Sequence, residues 1–138
     1  GVNRKQAAEE VKMSLERIFY YAAQADKYDG AVHHTPYKNV TLAMPEPWGV
    51  MAISCPNEAP LLSFISLVMP ALAMGNRVIV TPSRDHALIA TDLYQILDTS
   101  DVPGGVINIV TGEQDELAKT LAQHDDIAAV WYVGPKEG

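Results

Sequence analysis

A single cysteine, Cys55, serves the whole chain of 138 residues. One thiol can build neither an internal disulfide nor a cysteine-based zinc cluster, and such a chain suits a reducing cytoplasm. Basic residues are scarce as well: ten Lys and Arg against 17 Asp and Glu leave a formal charge of -7. That sign repels phosphate backbones and anionic membranes at long range, which argues against a nucleic-acid partner. Long hydrophobic runs are missing. The longest apolar stretch, residues 61–74, is interrupted at Pro70. It falls short of the roughly 20 residues that span a bilayer and reads as a buried helix. The N-terminus carries Asn3, Arg4, Lys5 and Gln6 where a secretory signal would place an apolar core. Repeats and low-complexity segments are absent too.

What remains is an ordinary globular balance, 48% hydrophobic and 20% charged, which excludes a disordered chain. The length suffices for one compact domain and not for a two-domain enzyme. Val11, Leu15, Ile18, Phe19 and Ala22 recur at helical spacing, predicting a helix over residues 4–28 that Gly30 stops. Residues 31–47 place Val32, Val40 and Leu42 among turn formers and read as a hairpin or linker with Lys38-Asn39 at its tip.

From Trp48 onward the pattern changes. Four Val- and Ile-rich runs, residues 49–55, 77–81, 106–110 and 129–133, read as strands covered on both faces. Helical stretches at 59–74, 86–97 and 115–124 separate them. This alternation predicts an α/β fold: a partial, Rossmann-like parallel sheet of about four strands over residues 48–138, with right-handed crossovers. Ligands of such sheets collect beyond the carboxyl ends of the strands. Those ends carry Pro56-Asn57-Glu58, Pro82-Ser83-Arg84, Gly112-Glu113-Gln114 and Gly134-Pro135. The sequence opens inside a polar helix and closes just after a strand, whose open edge calls for a neighbour, as in a fragment or a partnered unit.

Isolated chemical residue types mostly have structural explanations. His33 and His34 are adjacent, so on a strand they face opposite ways and cannot jointly grip a metal. His124-Asp125-Asp126 suits the end of a helix. Ser83-Arg84-Asp85-His86 opens a helix, where capping accounts for its polar groups. Trp131 and Tyr132 are expected in core packing.

Read together, several strings resemble the aldehyde dehydrogenase family. Glu46-Pro47-Trp48-Gly49-Val50 is similar to its E-P-x-G-V entry to the cofactor domain. Pro60-Leu61-Leu62 follows, and Pro70-Ala71-Leu72-Ala73-Met74-Gly75-Asn76 is similar to P-A-L-A-x-G-N. Pro103-Gly104-Gly105-Val106-Ile107-Asn108-Ile109-Val110-Thr111-Gly112 is similar to P-x-G-V-x-N-I-V-x-G. The match runs in order over almost the whole chain. It implies an NAD- or NADP-dependent oxidation of an aldehyde by a cysteine thiolate, with an asparagine side chain among the oxyanion donors and a glutamate activating water. In the family the cysteine and glutamate lie beyond the last residue here. Cys55 aligns with an apolar strand residue and reads as a buried, inert thiol.

The resemblance also exposes departures. Glu58 falls at the oxyanion asparagine position; a carboxylate offers no donor there, where one donor is worth roughly 3–4 kcal/mol. Asn57 is the fallback, at the cost of the Pro60-Leu61-Leu62 match. The family's K-P-x-E, whose lysine and glutamate grip the adenosine ribose, has become Thr81-Pro82-Ser83-Arg84. Arg84 either lies solvated on the surface or meets the 2′-phosphate of NADP. Gly112 is kept, but Glu113 and Gln114 replace the rest of the glycine loop. At the last strand F-T-G-S has become Tyr132-Val133-Gly134-Pro135, keeping Gly134 and losing the serine.

These departures imply a dinucleotide site weakened or lost across Thr81, Pro82, Arg84, Gly112 and Gly134. Tyr20-Tyr21-Ala22-Ala23 through Asp26-Lys27-Tyr28-Asp29-Gly30, and Ala129-Val130-Trp131-Tyr132 before Gly134, resemble the second, non-catalytic unit of family-sixteen aldehyde dehydrogenases. This resemblance implies a structural or assembly role, inactivity of this chain alone, and partners in the remainder of such a polypeptide or in a homo-oligomer joined through the hairpin. The alternative is the cofactor-binding portion of an active NAD(P)-dependent aldehyde dehydrogenase.

Overall fold

The computed structural model describes residues 3–134. Helix α1, Arg4–Gln24, opens with a capping box in which Asn3 and Gln6 exchange side-chain and backbone hydrogen bonds. It ends earlier than its periodicity suggests, and Gly30 is not its stop. Gly30 instead lies against the carbonyl of Ala43, where any side chain would collide with backbone. That contact belongs to an antiparallel hairpin of β1 (Ala31–His33) and β2 (Thr41–Ala43), registered Val32 to Leu42. The two strands are joined through residues 34–40, a wider loop than a tip at Lys38-Asn39 requires. Within it Thr35 Oγ1 bonds the Tyr37 carbonyl and Asn39.

The remaining elements alternate as expected: β3 (Val50–Ser54), α2 (Pro60–Ala73), β4 (Arg77–Thr81), α3 (Ala87–Asp98), β5 (Ile107–Ile109), α4 (Gln114–Ala122) and β6 (Ile127–Tyr132). The strands form one parallel sheet in the order β5-β4-β3-β6. Chain direction therefore reverses across β3: α2 and α3 carry it one way, and α4 brings it back to the other side.

Side-chain alternation sorts the core by face. Met51, Ile53, Val78, Val80 and Ile107 point toward α2 and join Phe64, Ile65, Val68 and Ala71 in one buried cluster. The opposite face is thinner, with Ala52, Ser54 and Val130 lying beneath Ala118 and Leu121 of α4. Pro70 does not end α2, which runs on through it to Ala73. The exit is a Schellman turn: Asn76 N–H bonds Ala71 C=O, Gly75 N–H bonds Leu72 C=O, and Gly75 takes φ +80°.

Two expectations fail at the sheet margin. β6 is an edge strand and is not covered on both faces: Val130, Trp131 and Tyr132 stay 38%, 37% and 39% exposed. Trp131 and Tyr132 are thus not core residues. A lone edge strand has a neighbour on one side only, and the nine-residue α4 is too short to cover it.

Candidate functional site

The loops after β3, β4 and β5 meet above the carboxyl ends of the sheet, and their polar groups largely engage one another. Asn57 follows β3. Its Oδ1 accepts from Ser83 Oγ at 3.0 Å and from the Asp85 N–H at 3.4 Å, tying the loop after β3 to the loop after β4. Ser83 is buried, and its Oγ also accepts from His86 N–H at 3.2 Å. It closes the turn before α3, whose own N-cap, His86, makes no side-chain capping bond. The polar groups of residues 83–86 therefore shape a loop and do not cap the helix.

Arg84 is exposed and forms an ion pair with Glu113 at 3.0 Å, across from the loop after β5. Both groups are well solvated, so the pair contributes little stability. Its effect is local: the guanidinium already has a carboxylate partner. Next to it, Gln114 Nε2 donates to Cys55 O and Pro82 O, each at 2.8 Å. Gln114 thus spans the ends of β3 and β4. Nothing in the sequence signals this, because the partners lie far away in the chain.

The other candidate positions surround this knot. Thr81 and Pro82 are buried at the end of β4, and Gly112 is exposed at the end of β5 with Leu117 close behind it. Gly134 lies against the tip of the Tyr132 ring, which would have to swing aside to admit a side chain there. The Tyr132 hydroxyl donates to Asp115 Oδ1 at 2.6 Å, and that hydrogen bond is the main reason its pKa is raised. Pro135 lies outside the described residues. His33 and His34 stay in the hairpin region, and no group of three or more metal-ligating side chains occurs among the described residues.

Glu58 is exposed ahead of α2, where Ala59 takes a left-handed φ of 44°. Glu58 precedes the N-terminus of α2 without capping it. The carboxylate at that helix end is Glu10 of α1, whose Oε1 accepts from Leu61 N–H at 2.8 Å and Leu62 N–H at 3.2 Å. A carboxylate at a helix N-terminus is favoured by the aligned peptide dipoles. In α1 Glu10 is merely one of several polar residues, and only the packing of α1 on α2 brings it to the cap. Gln6, Glu9, Met13, Asn57, Glu58 and His86 contribute to an open cleft between these helices.

Cys55 is fully buried, and burial pushes its thiol up to about 12. The unfolded pKa is near 8.5, so the folded state holds the proton more tightly. The stabilisation is fully present below about pH 8.5 and is lost as pH rises toward the folded value. Native protein at pH 8 is expected to resist a thiol-specific disulfide reagent and to release one equivalent on unfolding. Rapid labelling before unfolding would show the thiol to be accessible.

Across residues 1–137 the sequence matches the model of the aldehyde dehydrogenase family. The chain belongs to that family. It is 34% identical over 118 residues to the hydroxyisobutyraldehyde dehydrogenase of Mycolicibacterium austroafricanum, covering 86% of this chain and 23% of that protein. The NADP/NAD-dependent aldehyde dehydrogenase PuuC of Escherichia coli (strain K12) is 34% identical over 131 residues, covering 95% and 26%. An aldehyde dehydrogenase structure from Brucella melitensis biovar abortus 2308 superposes with a TM-score of 0.87 at 28% identity, covering 91% and 26%. This aldehyde dehydrogenase chain therefore spans about a quarter of the length of its relatives. Its parallel sheet and helices are the family's Rossmann-like arrangement.

Proposed function

We propose that this chain is a structural or assembly portion of an aldehyde dehydrogenase-like protein, with a strand-end crevice that no longer holds NAD or NADP. The observation that carries the reading is the mutual engagement of the crevice groups. Arg84 pairs with Glu113, Asn57 with Ser83, and Gln114 with two carbonyls. Glu58 adds a carboxylate where a family member places an oxyanion donor. Cys55 is sealed in the core and reaches no substrate. The setting this reading assigns is the second, non-catalytic unit of a family-sixteen enzyme in the cytoplasm, with the remainder of the polypeptide or a second subunit as partner.

The assembly role is supported by the hairpin. Val32, Tyr37, Val40, Leu42 and Met44 are all exposed there. An isolated two-stranded hairpin is marginal in water, so a partner surface over it would stabilise both.

Calorimetric titration of NAD and NADP tests the reading, after circular dichroism establishes a cooperative fold. No binding is expected. A Kd tighter than about 100 μM, roughly -5.5 kcal/mol, would favour the cofactor-binding portion of an active NAD(P)-dependent enzyme instead. A preference for NADP would then implicate Arg84.

A further inference from the structure

The last ladder hydrogen bond between β3 and β4 runs from Cys55 N–H to Thr81 O at 2.9 Å. Beyond it the carbonyls of Cys55 and Pro82, at the carboxyl ends of β3 and β4, come within reach of a single donor. One side-chain amide, Gln114 Nε2, donates to both at 2.8 Å. Two adjacent carbonyl acceptors match a ligand with paired donors, such as the vicinal hydroxyls of a ribose. Gln114 supplies the equivalent donors from within the chain, at no cost in association entropy. Its loop is also held by the Glu113 carboxylate on Arg84 and the Glu113 carbonyl on Leu117 N–H at 3.0 Å.

We infer that Gln114 is an internal plug: its amide occupies the acceptor pair that a ribosyl ligand would otherwise engage, and removing it opens the crevice to nucleotides. This inference rests on the reading of the crevice as one that no longer holds a dinucleotide. It assigns a single side chain as the principal barrier, where that reading alone would spread the loss over Glu58, Thr81, Arg84 and Glu113. A plug of this kind competes with any incoming donor at a high effective concentration, because it is carried by the same chain. Its loss therefore acts on nucleotide affinity even though Gln114 touches no substrate.

The test titrates NAD and adenosine monophosphate into the parent chain and into Gln114→Ala, both verified as folded by cooperative thermal melts. Gln114→Ser, whose short side chain does not span to either carbonyl and suits the first turn of α4, provides a second variant should the alanine one melt below the assay temperature. Affinity at least tenfold tighter in the variant than in the parent is expected. A silent parent with a binding variant supports both readings. When parent and folded variant are both silent, the plug is overturned while the reading of a lost cofactor site stands. A parent that binds tighter than about 100 μM overturns that reading. In that case an unchanged variant overturns the plug too, and a tenfold gain retains it.

Discussion

Phe64→Ala is expected to cost about 3–5 kcal/mol of unfolding free energy, the range for deleting a large buried aromatic side chain. Phe64 is 1% exposed and lies among Met51, Ile53, Val78 and Val80 of the sheet and Ile65 and Val68 of its own helix. The lost transfer energy adds to the cavity left behind, because β3 and β4 are held in register by their ladder and cannot collapse into it. A domain of this size has roughly 5–15 kcal/mol to lose, so the variant would unfold at a markedly lower urea concentration. The midpoint should fall while the slope stays constant. A loss below about 1 kcal/mol would mean that the α2 face is not the principal core.

Asn76→Ala comes next, with an expected loss of about 2–3 kcal/mol. The side chain is buried and makes three hydrogen bonds. Its Oδ1 accepts from Trp48 N–H at 2.7 Å and Gly49 N–H at 3.1 Å, and its Nδ2 donates to Ala71 O at 3.1 Å. One residue thereby fastens the end of α2 to the entry of β3. Alanine leaves those backbone groups without a partner, which costs more than the net value of the bonds themselves. Urea melts measure the loss. Hydrogen exchange gives a second readout: the amides of Trp48 and Gly49 should exchange faster in Asn76→Ala while the centre of β4 stays protected. Unchanged exchange at both amides would contradict the fastening role.

Much of this fold was readable from spacing. Apolar residues at helical intervals located α1, although Val11, Leu15 and Phe19 stay exposed and only Ser14 is buried; a long apolar run located α2, and Val- and Ile-rich runs located β3 and β4, which do bury continuous faces. The turn at Gly75-Asn76 was legible for a local reason, since it demands a positive φ just where a glycine stands. β6 was misread because its apolar run looks like a covered strand, and composition does not say how many neighbours a strand has. Gly30 was misread as a helix stop because its constraint comes from Ala43, across the hairpin.

The candidate site was legible only as a set of positions. Family resemblance brought attention to Asn57, Glu58, Thr81, Arg84, Gly112 and Gly134. It gave no view of Gln114 reaching Cys55 and Pro82, or of Glu10 reaching Leu61 and Leu62. Such contacts depend on rotamers of side chains carried by separate elements. No local pattern encodes them.

The strand order bears on how the chain assembles in time. β3 lies inside the sheet, yet one of its two neighbours is β6, with Val50 opposite Ile127. During synthesis β3 and β4 can pair and collect α2 soon after they appear, because those contacts are local. The other flank of β3 stays open until residues 127–132 have been made. Parallel pairings between distant segments form late and slowly. Throughout that interval Val50–Ser54 presents an unpaired apolar edge, the kind of surface that draws chaperones or a second nascent chain. The most protected strand of the finished sheet is thus its most vulnerable one during birth.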